Sequence, residues 1–237
     1  MEPWSTAIVS LTLLYSSYLD IKKREVDDIV WVIPSILGLL LNLYTVYVVG
    51  FDYLVRYGAA VLVSAGVGFA LYFAGLYGGA DAKALVTIAL VQPFSYTGLQ
   101  LHGVTSLTVL TNGMIFSLSL PVFFMAFNSY RLLRGEKIFS GFDGEKSLRK
   151  LAALFLGTRM RNAAGKNFWG VIESIENGVR RFRFNIGIEE LEKVDRDDVW
   201  VTPGIPLLVF FTVGYFFNLF AGEVMAYLFR SLAPNPT

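Results

Sequence analysis

The chain has 237 residues, of which 54% are hydrophobic and only 16% charged, against roughly a quarter charged in an ordinary soluble domain. Of its 39 charged residues, 14 Lys/Arg and 11 Asp/Glu fall between Arg131 and Asp198, and the remainder is apolar in long runs, which excludes a soluble enzyme and implies a polytopic α-helical membrane protein with one compact polar region. The absence of cysteine and the single histidine, His102, exclude a disulfide scaffold, a thiol nucleophile and Cys- or His-rich metal sites, so no metal and no cofactor are expected.

Six apolar stretches each approach the roughly 20 residues that cross a bilayer as a helix. They run from about Trp4 to Leu19, Ile29 to Val49, Leu54 to Tyr77, Ala82 to Leu101, Thr105 to Leu132, and Thr202 to Leu228. The N-terminus lacks the basic start of a secretory signal, so the first stretch is read as retained. Three regions follow: 1–133 with spans one to five, 134–199 as a soluble subdomain, and 200–237 with the sixth span. In the soluble region, 144–161 has apolar residues spaced for an amphipathic helix. Asn177-Gly178, between Trp169–Ile175 and Val179–Phe184, predicts a β-hairpin, because that pair favours the positive φ angles of a type I′ turn. The subdomain is therefore α+β, and the acidic stretch 189–198 leads back to the membrane.

Basic residues give the orientation. Lys22, Lys23, Arg24, Lys83 and the basic residues of the polar region share one side, leaving Arg56 and Arg230 on the other. By the positive-inside rule the first side is cytoplasmic and both termini lie outside. Asp20 then ends the first span and Asp81 begins the fourth at the same membrane edge, where Thr202-Pro203-Gly204-Ile205-Pro206 opens the sixth.

A carboxylate beside apolar sequence is costly and signals function by default. Two at one depth can share a proton, leaving one acid and one base to polarise a carbonyl and activate water. Gly78-Gly79 before Asp81 loosens a helix start and lets another backbone approach. Lys83 is read as an interfacial cation whose charge also reaches Asp81. Thr202 suits a helix cap and Pro203 a first helical position; alternatively, free backbone groups there pair with an extended substrate. From the residues alone, a proton or cation relay through Asp20 and Asp81 and a scaffold with a partner-binding soluble region stay open. Arg180, Arg181 and Arg183 interleaved with Phe182 and Phe184 fit a solvated sheet face or anionic lipid better than nucleic acid.

Gly78-Gly79-Ala80-Asp81 with Lys83, together with Asp20 before a basic run, resembles the GxGD membrane aspartyl proteases, a group that includes type IV prepilin peptidases, presenilin and signal peptide peptidase. Within it, Gly-Gly-Ala-Asp-Ala-Lys is most similar to the archaeal branch that processes preflagellins. Two departures stand out: Ala80 replaces the second motif glycine, and Leu19 replaces the tyrosine that precedes presenilin's first aspartate. The resemblance implies hydrolysis of archaellin (preflagellin) precursors behind their basic leader peptides, at the cytoplasmic face of an archaeal cell membrane. Asp20 and Asp81 would form the catalytic pair, and Pro203, Gly204, Ile205 and Pro206 would correspond to the Pro-Ala-Leu element. Glu25, Asp27 and Asp28 can attract a basic leader or simply open the second helix near its positive end. Expected partners are these precursors and membrane lipids, not nucleic acid; the oligomeric state is undetermined.

Overall fold

The computed structural model describes residues 3–176, 178–184 and 194–232. Its helices are α1 (Pro3–Lys23), α2 (Ile29–Val49), α3 (Phe51–Phe73), α4 (Gly79–Val91), α5 (Thr105–Ser117), α6 (Ser119–Leu133), α7 (Ser147–Leu156), α8 (Leu207–Ala221) and α9 (Val224–Leu232). The strands are β1 (Thr158–Met160), β2 (Trp169–Val171), β3 (Glu173–Glu176), β4 (Val179–Phe182) and β5 (Val199–Pro203). Two units result: Met1–Ser117 with Pro206–Thr237, and Leu118–Ile205.

The first unit is helical, and α4 is its buried centre: Ala82, Ala84, Leu85, Ile88, Ala89 and Val91 are all inaccessible. Side chains from α1, α5 and α8 (Val9, Leu13, Val109, Phe211 and Tyr215) complete one core with it. Much of the interior is polar nevertheless. Ser17 Oγ lies 2.6 Å from Thr212 Oγ1, and Ser64 Oγ 2.5 Å from Ser106 Oγ. The Asn112 amide donates to the Gly214 and Gly222 carbonyls and accepts from the Val224 N–H. Helices α5 and α8 meet where a Cβ on Gly214 would stand 2.8 Å from the Gly113 nitrogen, the small-residue approach typical of membrane helix pairs. Glu223, wholly buried, accepts from the Leu101 N–H and the Thr111 hydroxyl, with His102 Nδ1 2.7 Å away.

Three helical stretches are long and apolar enough to cross a membrane: α2, α3 and the nearly continuous 105–133. The chain is thus a helical membrane protein, but the six full-length spans expected from hydropathy are not all present. Helix α1 has 21 residues, yet Ser5, Thr6, Ser10, Thr12, Ser16 and Ser17 dilute it, and it continues past Asp20. Helix α4 stops at Val91, well short of Leu101, because Pro93 forbids helical geometry at Gln92 (φ −135°, ψ 79°). Pro121 interrupts the fifth stretch near Leu118 by removing an N–H and crowding the preceding turn. The sixth begins only at Leu207, and α8 has 15 residues before Gly222, at φ 91°, turns the chain into α9.

In the second unit, α7 falls within the expected amphipathic stretch, while the strands correct the simple hairpin. Strands β3 and β4 pair antiparallel, Glu176 opposite Val179, with Gly178 at φ 77°; Asn177 lies outside the described residues. Strand β2 is not the hairpin's first arm. It joins β5, which pairs antiparallel with both β1 and β2 in a three-stranded sheet. Ile138, Phe142, Ala153, Leu154, Ile172, Phe182 and Trp200 form the core, with Phe142 and Phe182 rings stacked 4.3 Å apart. Ion pairs surround it: Arg180 grips the buried Glu173, and Arg159 makes two bonds to Asp198 at 2.8 and 2.6 Å. Of the acidic stretch 189–198, residues 189–193 lie outside the described residues.

Candidate active site

Asp20 occupies the last turn of α1, with its side chain 14% exposed and Arg24 a turn later at 3.8 Å. Its carboxylate accepts the backbone N–H of Leu208, the second residue of α8. The first N–H groups of a helix have no internal partner and form a ready anion site. Asp20 therefore lies at the positive end of a helix far away in sequence.

Asp81 is the third residue of α4, and its Oδ2 accepts the Gly78 N–H at 2.9 Å, closing back on its own helix start in the manner of a capping box. Gly78 has an ordinary extended backbone (φ −76°, ψ 160°), so positive φ is not why a glycine stands there. A Cβ at this position would come within 3.2 Å of Asp81 Oδ2. The glycine leaves room for the carboxylate. Gly79 is looser, its hypothetical Cβ 3.7 Å from the Tyr72 ring.

The two carboxylates come from different helices and lie close enough that Asp81 feels the charge of Asp20. Each accepts an N–H from a helix start, and two positive helix ends oppose the repulsion between two negative groups.

Other expected site residues are placed differently. Lys83 Nζ pairs with Asp28 Oδ1 at 2.5 Å, across exposed surface, so its nearest charge is Asp28. Val26 packs into the core while Glu25 and Asp27 on either side are exposed. Thr202 and Pro203 belong to β5, opposite Gly170 and Trp169, which overturns the reading of them as a helix cap and first turn: ladder pairing has claimed that backbone. The Gly204 N–H donates to Phe168 O at 2.9 Å, Ile205 is exposed, and Pro206 immediately precedes α8. One residue was missed in the sequence. Tyr77 sets its ring 6.1 Å from Phe211, its hydroxyl is buried with no hydrogen-bond partner among the described residues, and it lies within electrostatic reach of Asp81. Its position immediately before Gly78-Gly79 was the available signal.

Residues 7–129, more than half of the chain and including both aspartates, match the type IV leader peptidase family. The chain belongs to that family. It is similar along nearly its whole length to archaeal relatives: 28% identical to the preflagellin peptidase of Methanococcus voltae over 92% of this chain and 94% of that one. It is 24% identical to those of Methanocaldococcus jannaschii, over 94% and 96%, and Methanococcus maripaludis strain C6, over 91% and 94%. As a member of the leader peptidase family, the chain is a peptidase of the membrane.

Proposed function

We propose that this chain is an aspartyl endopeptidase that removes the leader peptide of archaellin precursors at the cytoplasmic face of an archaeal cell membrane. What supports the reading is that Asp81 lies within electrostatic reach of Asp20 and that each is held by a backbone N–H at a helix start. A water between the carboxylates attacks the scissile carbonyl. The ionised aspartate takes the water's proton, and the protonated one gives its proton to the carbonyl oxygen. The tetrahedral diol then collapses as the leaving nitrogen is protonated, with no covalent enzyme intermediate.

Six crossings fit this assignment, α1, α4 and α8 completing those made by α2, α3 and 105–133, with both termini outside. The basic segment of a leader is then met by Glu25 and Asp27, which Val26 turns outward. Lys83 joins the start of α4 to that of α2 through Asp28 and so fixes the approach to the site. Gly78 keeps space beside Asp81, with Gly79 and Ala80 allowing the helix to begin there. Pro203, Gly204, Ile205 and Pro206 lead into α8, whose second N–H Asp20 accepts.

The test is incubation of the detergent-solubilised protein with an archaellin precursor. Wild type releases the leader, whereas Asp20→Asn and Asp81→Asn each lose at least about a thousandfold in rate while retaining the wild-type circular dichroism. Cleavage by either variant at near the wild-type rate refutes the pair. Cation flux in proteoliposomes that depends on Asp81, without any cleavage, would instead make the two carboxylates an ion relay.

A further inference from the structure

Helix α7 buries Ala153 and Leu154 in the subdomain core but leaves a second apolar stripe outside it. A surface helix ordinarily turns its apolar stripe to the core and its charges to water. Leu148, Leu151 and Phe155, spaced three and four apart on one face, are instead 79%, 46% and 37% exposed. Arg149 and Lys150, both half-buried, sit one turn before Ala153 and Leu154, the residues of α7 that the core buries. Arg149 donates to the Phe182 carbonyl, pairs with Glu145 at 3.6 Å and lies 5.7 Å from the Phe184 ring. Lys150 is 5.9 Å from the Phe139 ring. The charged groups are satisfied within the unit while three large apolar side chains point out of it.

The same unit fixes the depth of this face. Asn128 of α6 donates to Leu154 O at 3.0 Å and Gly157 O at 2.7 Å, tying the end of α7 to α6. Asn128 stands two residues before Tyr130 and three before Arg131. Tyr130 stacks under Arg134 at 4.6 Å and Arg131 lies 5.6 Å from the Phe127 ring, the aromatic and basic residues that mark where a span meets water. Helix α6 closes the apolar stretch 105–133, and its Val122, Phe123 and Phe127 are exposed. The outward face of α7 is thus held at the end of a membrane-crossing helix.

We propose that α7 is an interfacial helix whose Leu148, Leu151 and Phe155 lie in the boundary between headgroups and acyl chains, in the leaflet where α6 ends. The occupant of this face is lipid, and the soluble subdomain is docked on the bilayer through it.

The absence of native cysteine allows a direct test. Leu148→Cys, Leu151→Cys and Phe155→Cys are spin-labelled one at a time in the full chain, reconstituted in phosphatidylcholine–phosphatidylglycerol vesicles. Phe123→Cys on α6 is the lipid reference and Lys166→Cys, at an exposed charged position, the water reference. The expected ratio of oxygen to nickel-chelate accessibility at 148 and 151 is several-fold above that at 166 and approaches that at 123. Ratios at 148 and 151 equal to that at 166 overturn the proposal. So does spin–spin broadening at 148 that disappears when labelled protein is diluted with unlabelled protein, since a second copy would then cover the face. Leu148 and Leu151 lie outside the core, so loss of fold does not obscure the outcome.

Discussion

The first unit of this chain and the part of the second that follows α6 are built to opposite rules. The first turns apolar side chains such as Leu40, Tyr47, Leu62 and Phe73 outward and keeps Asn112, Asn218, Ser64 and Glu223 wholly buried. The second stacks Phe142, Phe182 and Trp200 inside and rings them with Arg–carboxylate pairs. In lipid, hydrophobic burial gives helices little reason to associate, so hydrogen bonds and close packing of small residues carry the specificity. In water the aromatic core supplies both driving force and specificity. The same kind of substitution should therefore have opposite consequences in the two places.

The largest effect is expected in the second unit. Trp200→Ala empties the centre of the aromatic cluster, also removes an indole N–H that donates to Ile138 O at 3.1 Å, and should cost about 3–5 kcal/mol. Chemical denaturation followed through the subdomain's circular dichroism measures it. Asn112→Leu makes the converse change in the first unit. It adds apolar character but removes the amide's bonds to the Gly214 and Gly222 carbonyls and leaves the Val224 N–H without its Asn112 acceptor, and should destabilise by about 2 kcal/mol. A thermal midpoint in detergent that stays put or rises after this change would break the comparison.

Smaller changes sharpen it. Gly78→Ala places a methyl group 3.2 Å from Asp81 Oδ2, and cleavage of the precursor should fall about tenfold by displacement of the carboxylate, with the thermal midpoint unaltered. A parallel fall in midpoint would assign the glycine to folding. The smallest effect concerns pH. The Arg159 guanidinium, and then Arg180, hold the Asp198 carboxyl below the usual carboxylate range. A group whose folded value is lowered gives stability above its unfolded value, near 4, that is lost as pH falls through the lower folded value. The second unit should thus loosen on acidification below about pH 4, and Asp198→Asn should reduce that dependence. A pH titration of subdomain circular dichroism in both forms checks it; identical acid slopes would mean other carboxylates carry the effect.

What could be read from the sequence depended on how local the cause was. Charge clustering marks the polar region, and Asn177-Gly178 marks a turn whose flanking strands pair Glu176 with Val179. Two carboxylates interrupting apolar sequence draw the eye to Asp20 and Asp81, but hydropathy carries no trace of the Leu208 N–H that Asp20 accepts. Strand β5 escaped notice because its partners lie about 30 to 40 residues upstream, and its five residues read equally well as the start of a span. The early end of α4 was within reach, since Pro93 stands in the expected helix. Lys83's choice of Asp28 over Asp81 was not, because it depends on how α2 and α4 lie side by side.

The shortness of α4 has a consequence for the backbone on either side of it. At 1.5 Å per residue, its 13 residues make a column of about 20 Å, packed against α2 and α3, which at 21 and 23 residues are more than 30 Å long. The central column is shorter than its neighbours, and the chain runs outside α-helix through residues 74–78 and 92–104 on either side of it. Non-helical backbone at such depth survives only where protein or water supplies its partners. The loop after α4 is paired in this way: the Ser95 N–H donates to Gly103 O at 3.0 Å and the Thr105 N–H to Pro93 O at 3.1 Å.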